Sequence, residues 1–302
     1  MKGPDMRKSE LAAATAFAAT VLAILTTSTV VGLGIGQPIQ PLLLYTLHTA
    51  ALIGSLCIGY AIFVEPRRLT TQTLTLKSPK LSSPIRAVHL TDLHVSEWNT
   101  FHERLLEAVR DLKPDLILMT GDYTTSRFNP EALKRFLTSL AGIAPVTACL
   151  GNSEGKRAVH ETMQINGLQW LPEGSVSLEV RGQQLQVDAA IPGDLERVFS
   201  AKPDAKTFSI CLYHYPDPAA ELERVPYDLT LSGHTHGGQV RLPFIGALFS
   251  NSHAGRRYAR GVFRSGTKTA FVSQGIGCES YGLPPIRFMC PPEIAILDLG
   301  PS

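Results

Sequence analysis

Seven side chains able to ligate a metal follow short apolar runs of the sequence. Asp92 and His94 form an Asp-x-His pair, and His234 and His236 form a His-x-His pair flanked by glycines. The remaining three, each just after an apolar run, are Asp122, Asn152 and His214. Alternation along an extended chain places the two members of each pair on the same side. Carboxylate, amide and imidazole ligands together suit Mn, Fe or Zn better than Ca or Mg.

Two metal ions explain this set of ligands better than one. Seven ligands exceed one ordinary coordination sphere, whereas they divide well between two metals that share a bridging carboxylate. Taken alone, an Asp-x-His pair is more often a solvated turn, and a Gly-Asp pair carries even less information. Their occurrence in order after successive apolar runs argues against a chance arrangement. It predicts a single site at the edge of a sheet.

The apolar runs that must position these side chains alternate with helical patterns. The strands are expected at 85–90, 116–120, 146–150, 208–213, 229–232 and 294–297. Thr100 to Glu103 reads as a capping box that opens a helix to about Lys113, and Asn129 caps a second helix that runs to Gly142. The alternation predicts a layered α/β domain with its ligands at the carboxyl ends of the strands.

The ordered motifs resemble those of the calcineurin-like metallophosphoesterases. The closest likeness is to their membrane-associated bacterial branch, through the run Gly-His-Thr-His-Gly-Gly-Gln-Val-Arg-Leu-Pro at residues 233–243. The resemblance covers about residues 85–299. It implies a four-layer fold, in which two mixed β-sheets pack as a sandwich between helices. It also implies a metal-dependent hydrolase of phosphoric esters or pyrophosphates.

The resemblance also implies two ligand sets. One metal would be held by Asp92, His94, Asp122 and His236. The other would be held by Asn152, His214 and His234, with Asp122 as the bridge. All seven residues are therefore expected to be catalytic as well as metal-ligating. Two divalent ions are expected, with Mn as the first choice and Fe or Zn as alternatives. Such a metal pair supports in-line attack on phosphorus.

One position departs from the family pattern. The family usually continues Gly-Asn with a histidine that assists the leaving group, whereas here Asn152 is followed by Ser153 and Glu154. General-acid help is worth about 10²–10⁴ in rate. Its loss is tolerable when the leaving group is already a weak base, such as a phosphate or a nucleoside monophosphate. Ser153 therefore favours a pyrophosphate bond as the substrate.

Two long runs without charged residues precede this region. Residues 11–35 contain no Asp, Glu, Lys, Arg or His, and residues 42–64 contain only His48. Each run is long enough to cross a bilayer core of roughly 30 Å as a helix. Basic residues flank both runs and the turn between them has none, which predicts a hairpin over residues 1–64 with both ends in the cytoplasm. A cleaved signal peptide and a buried soluble hairpin are the alternatives.

Residues 65–84 are expected to form a linker or a peripheral strand, and residues 85–302 the catalytic domain.

The charge balance and the cysteines limit the possible functions further. The 302 residues include 28 basic and 26 acidic ones, and this balance argues against nucleic-acid binding. The five cysteines match no metal or redox spacing and are expected to be free thiols in a reducing compartment.

A lipid-linked nucleotide is the substrate that best fits the expected membrane anchor, metal pair and pyrophosphate bond. The sharpest hypothesis is hydrolysis of UDP-2,3-diacylglucosamine to lipid X and UMP in lipid A biosynthesis, by a multi-pass protein of the inner (cell) membrane. A branch of the same superfamily with that activity also lacks the histidine after its Gly-Asn. The alternatives are a broad phosphodiesterase acting on phospholipids or cell-wall lipid intermediates, and a catalytically weak metal-binding scaffold. The lipid bilayer is the expected partner.

Further residues are expected around the substrate. Arg241 is the first choice for a phosphate contact, and Ser153 and Glu154 are expected beside it. Glu154 is expected to accept a hydrogen bond from Ser153 or from a ligand histidine. The apolar segment 242–249 either lines an acyl-chain groove, enters the membrane interface or is an ordinary buried loop. The basic cluster Arg256, Arg257 and Arg260 is expected to be a solvated or lipid-headgroup patch.

Overall fold

The computed structural model describes residues 41–302 apart from 126–127, 156 and 279–284, with a few isolated positions before residue 41. In that part of the chain the strands form two six-stranded sheets and one short two-stranded hairpin. Both large sheets mix parallel and antiparallel pairs. The predicted α/β fold with two mixed sheets is therefore confirmed.

The first sheet has the strand order β1-β14-β2-β3-β4-β5. Its strands are β1 (Thr70–Lys77), β2 (Ile85–Leu90), β3 (Leu116–Met119), β4 (Val146–Ala148), β5 (Leu168–Trp170) and β14 (Glu293–Gly300). Strands β2 to β5 are mutually parallel, and β14 runs antiparallel to β2. The carboxyl ends of β2 to β5 therefore lie at the same edge of the sheet.

The second sheet has the order β12-β13-β9-β8-β7-β6. Its strands are β6 (Gly174–Val180), β7 (Gln183–Ala189), β8 (Phe208–Leu212), β9 (Leu229–Ser232), β12 (Gly261–Ser265) and β13 (Lys268–Val272). The four inner strands are parallel, and the two edge strands pair antiparallel to their neighbours. The separate hairpin consists of β10 (Arg241–Leu242) and β11 (Gly246–Ala247).

The α-helices are α1 (Pro41–Phe63), α2 (Thr100–Asp111), α3 (Pro130–Ala141), α4 (Arg157–Thr162), α5 (Leu195–Ser200) and α6 (Asp217–Ala220). Asn129 caps α3 as predicted, because its side chain accepts a hydrogen bond from the Ala132 amide. The predicted cap of α2 is wrong by one residue. Its N-cap is Asn99, and the His102 side chain closes the capping box, while Glu103 instead accepts from the Trp98 indole.

Three apolar clusters hold the layers together. Residues from the facing sides of both sheets, such as Leu118 and Phe271, share one central cluster. A second cluster packs α2 and α3 on the outer face of the first sheet. A third packs α5 and α6 on the outer face of the second sheet. Helices therefore enclose the two stacked sheets, which gives four layers.

Among the described residues, one helix is long and apolar enough to cross a membrane. The candidate segment is Tyr45–Arg67, with a mean hydropathy of 1.8, and only 17% of its most apolar window is buried. The first expected span, residues 11–35, lies almost entirely outside the described residues. The expected two-helix hairpin is thus not confirmed, and only its second helix is seen.

Residues 65–84, expected to be a linker or a peripheral strand, begin with a 3-10 turn at Glu65–Arg67 and continue into β1. This strand pairs in parallel with β14 at the edge of the first sheet. The five cysteines are free thiols, as predicted. Cys149, Cys211 and Cys290 are buried, whereas Cys57 and Cys278 are partly exposed.

Candidate metal centre

The seven predicted ligands lie at the carboxyl ends of strands from both sheets. In the first sheet, β2 leads to Asp92 and His94, β3 to Asp122 and β4 to Asn152. In the second sheet, β8 leads to His214, and β9 leads to His234 and His236. The two sheets stack so that these ends meet. Residues that bind ions rather than water are expected to be buried. Five of the seven predicted ligands are buried, and the exceptions are Asn152 and His234.

The ligand atoms form two groups, which we call the first and second triads. Within each triad the ligand atoms all lie within 4.8 Å of one another. The first triad is Asp92, His94 and His236. The second triad is Asp122, His214 and His234.

Two further contacts extend these triads. Asn152 Oδ1 lies 3.0 Å from His214 Nε2, which adds an amide oxygen to the second triad. Asp122 Oδ2 lies 3.5 Å from His214 Nε2 and 3.9 Å from His94 Nε2. The carboxylate of Asp122 therefore faces both triads at once.

Each of the four imidazoles is oriented by a backbone carbonyl oxygen. The pairs are His94 Nδ1 with Thr124 O (2.9 Å), His214 Nδ1 with Thr120 O (2.6 Å), His236 Nδ1 with Gly277 O (3.3 Å) and His234 Nε2 with Asn251 O (2.7 Å). A carbonyl oxygen only accepts hydrogen bonds, so the nitrogen that faces it carries the proton. The other nitrogen of each neutral ring therefore presents a lone pair to the site.

Some of these unprotonated nitrogens lie close to one another. Their closeness shows whether the site suits metal ions. His94 Nε2 and His236 Nε2 are 3.1 Å apart, although both rings already donate through Nδ1. Such contacts between acceptors are repulsive unless a cation satisfies them. The mixed nitrogen and oxygen donors fit divalent metal ions.

The carboxylates and imidazoles of the site shift one another's pKa values. Burial opposes a charge on His214, yet the nearby charges of Asp122 and Asp92 raise its pKa to about 9. Burial also opposes ionisation of Asp122, but His214 and His94 hold the pKa of this carboxyl far below its usual range. Burial lowers the pKa of His234 to about 4. The charges of Asp122 and His214 therefore stabilise each other, whereas His234 is neutral near pH 7.

The backbone at the site adopts a conformation that non-glycine residues rarely occupy. Five of the seven predicted ligands have φ between 48° and 71°, namely Asp92, His94, Asp122, His234 and His236. Residues in this left-handed region cluster at functional sites, where the surrounding structure holds them. A Cβ at Gly275, whose own φ is 69°, would lie 2.8 Å from Asp92 Cβ. Sequence analysis missed this glycine, because nothing in its neighbourhood marks it.

Glu154 does not contact the groups that the sequence analysis expected. Its carboxylate accepts hydrogen bonds from three backbone amides, those of Gly151 (2.7 Å), Asp122 (3.0 Å) and Tyr123 (2.8 Å). The expected bond from Ser153 or a ligand histidine is therefore wrong, because the carboxylate lies buried beneath the loop. Burial, together with the charge of Asp122, raises the pKa of Glu154 to about 7. Glu154 joins the loops that carry Asp122 and Asn152.

Ser153 and Arg241 lie beside the site in different ways. The backbone amide of Ser153 donates to Asp122 Oδ1 at 2.9 Å, and its side chain is half-exposed. The guanidinium of Arg241 donates to the carbonyl of Gly237, next to His236, at 2.8 Å. Arg260 is exposed and bonds the side chain of Gln274. A contact from Arg241 to a phosphate stays a prediction.

The sequence analysis also missed Arg287, a fully buried arginine. Its guanidinium donates to four carbonyl oxygens, those of Gln274 (2.9 Å), Gly275 (3.1 Å), Gly277 (3.1 Å) and Cys290 (2.9 Å). The carbonyl of Gly277 is the one that orients His236, and the Gly277 amide donates to the Asp92 carbonyl. Arg287 therefore holds the loop that positions two members of the first triad.

The same loop is bonded to the end of α1. The Arg287 amide donates to the carbonyl of Ala61 at 2.9 Å, and the Cys290 amide donates to the carboxylate of Glu65. Glu65 is buried, so this junction is shielded from solvent. The helix with membrane-spanning length thus ends on the loop that orients His236.

Replacing Arg287 by lysine is expected to weaken metal binding by about 10- to 100-fold. Lysine keeps the charge but cannot serve several carbonyls with a planar fork, so Gly277 and hence His236 lose their fixed position. Metal retained after equilibrium dialysis, measured by mass spectrometry, gives the affinity. Arg264→Lys, at an exposed arginine of β12, is the matched control and should behave as wild type. Unchanged metal retention in Arg287→Lys would contradict the positioning role.

Fold, strand-end ligands and family comparison agree on the class of protein. Residues 85–238 match the family model described as calcineurin-like phosphoesterase. The chain belongs to this family and is a metal-dependent hydrolase of phosphoric esters.

Three curated relatives illustrate the range of this similarity. The uncharacterized metallophosphoesterase YkuE of Bacillus subtilis is 30% identical over 80% of this chain and 89% of its own. Phosphodiesterase YaeI of Escherichia coli is 31% identical over 72% of this chain and 83% of its own. The UDP-2,3-diacylglucosamine pyrophosphatase LpxG of Chlamydia trachomatis is 26% identical over 79% of this chain and 91% of its own.

Proposed function

We propose that this protein is a membrane-anchored hydrolase that uses two metal ions to cleave a pyrophosphate or activated phosphodiester bond of a lipid-linked substrate. It acts at the cytoplasmic face of the cell membrane, through the domain formed by residues 85–302. The observation that carries the proposal is the convergence of two triads on Asp122, with imidazole lone pairs facing one another at 3.1 Å. This is a donor set that two cations satisfy.

The chain would hold the two ions with the residues already described. One ion would bind the first triad and Asp122, and the other would bind the second triad and Asn152. Mn is the proposed ion, with Fe and Zn as alternatives. When bound, the metal pair supplies positive charge against the phosphoryl oxygens and lowers the pKa of water. The carbonyls that orient each imidazole keep the donors in place before substrate arrives.

The kind of leaving group is inferred from the residues next to Asp122. Ser153 occupies the position where the family usually has a histidine, and a serine hydroxyl is too weak an acid to protonate a departing alkoxide. The carboxyl of Glu154 is buried against backbone amides and does not replace the missing acid. The proposed substrate therefore releases a weakly basic group, such as a nucleoside monophosphate.

The proposed substrate is UDP-2,3-diacylglucosamine, which would yield lipid X and UMP. Two observations support it. One is the 26% identity to LpxG, which is named as a UDP-2,3-diacylglucosamine pyrophosphatase. The other is the exposed apolar helix α1, which would keep the protein at the bilayer where the acyl chains lie. A broad phosphodiesterase acting on lipid headgroups is the second candidate, favoured by the 31% identity to phosphodiesterase YaeI.

Full-length protein in lipid nanodiscs with saturating Mn is expected to release UMP and lipid X in equal amounts from UDP-2,3-diacylglucosamine. Chromatography of the nucleotide and lipid products measures both. Hydrolysis of bis(p-nitrophenyl) phosphate without any UMP release would favour the broad phosphodiesterase. A protein that binds two Mn ions but hydrolyses neither compound would favour the metal-binding scaffold. His214→Ala provides the blank for each assay, because it removes a proposed ligand.

A further inference from the structure

A three-residue turn of apolar side chains projects from the hairpin that follows the second histidine pair. This turn, which we call the apolar tip, consists of Pro243, Phe244 and Ile245 between β10 and β11. Phe244 is fully exposed, and Ile245 is 62% exposed. Hairpin turns are usually built from Gly, Asn, Asp, Ser and Pro. Of the three expectations for segment 242–249, the buried loop is therefore wrong for the tip.

The apolar tip is connected to the end of α1 through Phe288. The Arg241 amide donates to the Phe288 carbonyl, and the Phe288 amide donates to the Gln239 carbonyl, each at 2.9 Å. The Phe288 ring packs edge-on against Tyr60 of α1, with ring centroids 6.5 Å apart. Strand β10 is thus bonded to a residue that also contacts the apolar helix.

Other exposed apolar and basic side chains lie along the same connection. Met289 is 46% exposed, Val64 at the end of α1 is 50% exposed, and Phe249 after β11 is 78% exposed. The exposed Arg68 donates to the Tyr60 hydroxyl of α1 at 3.5 Å, and the exposed Arg256 donates to the Ala247 carbonyl at the base of the hairpin. Apolar side chains next to basic ones are typical of surfaces that meet anionic headgroups.

We propose that the apolar tip enters the boundary between headgroups and acyl chains of the bilayer that α1 crosses, as a second membrane contact beside the metal centre. This inference rests on the membrane anchoring in the proposed function. The occupant is the bilayer itself, because Phe288 joins the hairpin to a helix whose exposed length and composition suit a membrane. Separate exposed aromatic and aliphatic side chains with basic neighbours insert into such a boundary.

The position of the hairpin in the chain gives this contact a consequence for catalysis. It begins just after His236, and it is followed by Asn251, whose carbonyl orients His234. Phe244 is three residues from Arg241, which is at most about 10 Å of extended chain. A tip held in the bilayer therefore keeps Arg241, and the loop that carries the second histidine pair, close to the headgroups. Phosphate groups of membrane-embedded substrates lie at this level.

Tryptophan fluorescence of the full-length protein in nanodiscs tests the insertion directly. Phe244→Trp is compared with Thr267→Trp, at the exposed turn between β12 and β13. Because β13 is parallel to β9, this turn lies at the opposite end of the sheet from His234. Leu52→Trp reports on α1. The native Trp98 and Trp170 give a constant background, measured with the wild type.

With brominated phosphatidylglycerol, we expect Phe244→Trp to be quenched and blue-shifted severalfold more than Thr267→Trp. Quenching of Leu52→Trp with Phe244→Trp no different from Thr267→Trp would overturn tip insertion and leave the anchoring intact. Absence of quenching at both Leu52→Trp and Phe244→Trp would overturn the anchoring, and the tip contact with it. A Phe244→Trp signal protected without bromine quenching would indicate a protein partner and would also overturn the proposal.

A kinetic comparison separates the tip from the chemistry. The double substitution Phe244→Ser and Ile245→Ser is expected to lower kcat/KM for lipid-embedded substrate by about tenfold to a hundredfold. The loss for soluble bis(p-nitrophenyl) phosphate should be far smaller, since this compound needs no bilayer contact. Equal losses on both substrates would overturn the proposal. If neither substrate is turned over by the wild type while the quenching is seen, the proposed function fails and the membrane contact stands.

Discussion

Asp122→Asn is expected to lower kcat/KM for diester or pyrophosphate hydrolysis by about a thousandfold or more. The carboxylate faces His214 and His94 of the two triads, so its negative charge would be shared between both proposed metals. The amide is similar in shape but neutral, and it would remove the charge that is proposed to hold the pair together. Steady-state kinetics with Mn gives the rate. Mass spectrometry of the dialysed protein should show that at least one of the two ions is lost.

Asp188→Asn is the matched control for this prediction. Asp188 is also a buried carboxylate, and it accepts hydrogen bonds from Ser175 Oγ and Tyr227 Oη in the second sheet. Its replacement should lower the melting temperature without changing the metal stoichiometry. Two retained Mn ions and wild-type rates in Asp122→Asn would show that Asp122 does not bridge the metals.

Ser153→His is expected to raise the rate on alkyl phosphomonoesters by about 100-fold or more. An imidazole at this position would stand beside Asp122 and could protonate a departing alkoxide. The Ser153 contact to Asp122 is made by the backbone amide, so the substitution leaves it in place. The residue is partly exposed to solvent. The measurement is kcat/KM for ethyl phosphate and for p-nitrophenyl phosphate at equal metal loading.

The leaving-group argument requires that the gain depend on the substrate. The increase for ethyl phosphate should exceed that for p-nitrophenyl phosphate, because p-nitrophenolate is a weak base that departs without a proton. Ser153→Ala, which keeps the backbone contact and adds no acid, should remain close to wild type on both. A gain of the same size on both monoesters, or none on either, would contradict the argument.

Elements with buried, continuous apolar runs were predictable from the sequence. The runs at 85–90 and 116–120 correspond to β2 and β3 within one residue, and the residues after them lie at the site. Strand β1 was harder, since its alternating Thr and Leu residues suit a linker or an edge strand equally well. Its parallel pairing with β14 depends on residues more than 200 positions away.

The clustering of the seven predicted ligands was predictable, because ligand types in fixed order carry information that their supports do not. Arg287 belongs to no motif in the sequence. Its role depends on the four backbone carbonyls to which it donates in the folded protein. Glu154 shows the opposite error. Its closeness to Ser153 in sequence suggested a side-chain partner, whereas the backbone turns it beneath the loop to meet amides. Contacts made by backbone atoms leave no pattern in the residue types.

The junction between α1 and the loop of Arg287 bears on how this enzyme is best purified. The Ala61 carbonyl and the Glu65 carboxylate accept from the Arg287 and Cys290 amides. A shortened chain that starts at β1 would be easier to handle without detergent. It would also remove both acceptors, and with them the contacts that attach the loop of Arg287 to the helix end. A loss of metal from the shortened chain would then reflect the missing helix end and not an intrinsically weak site.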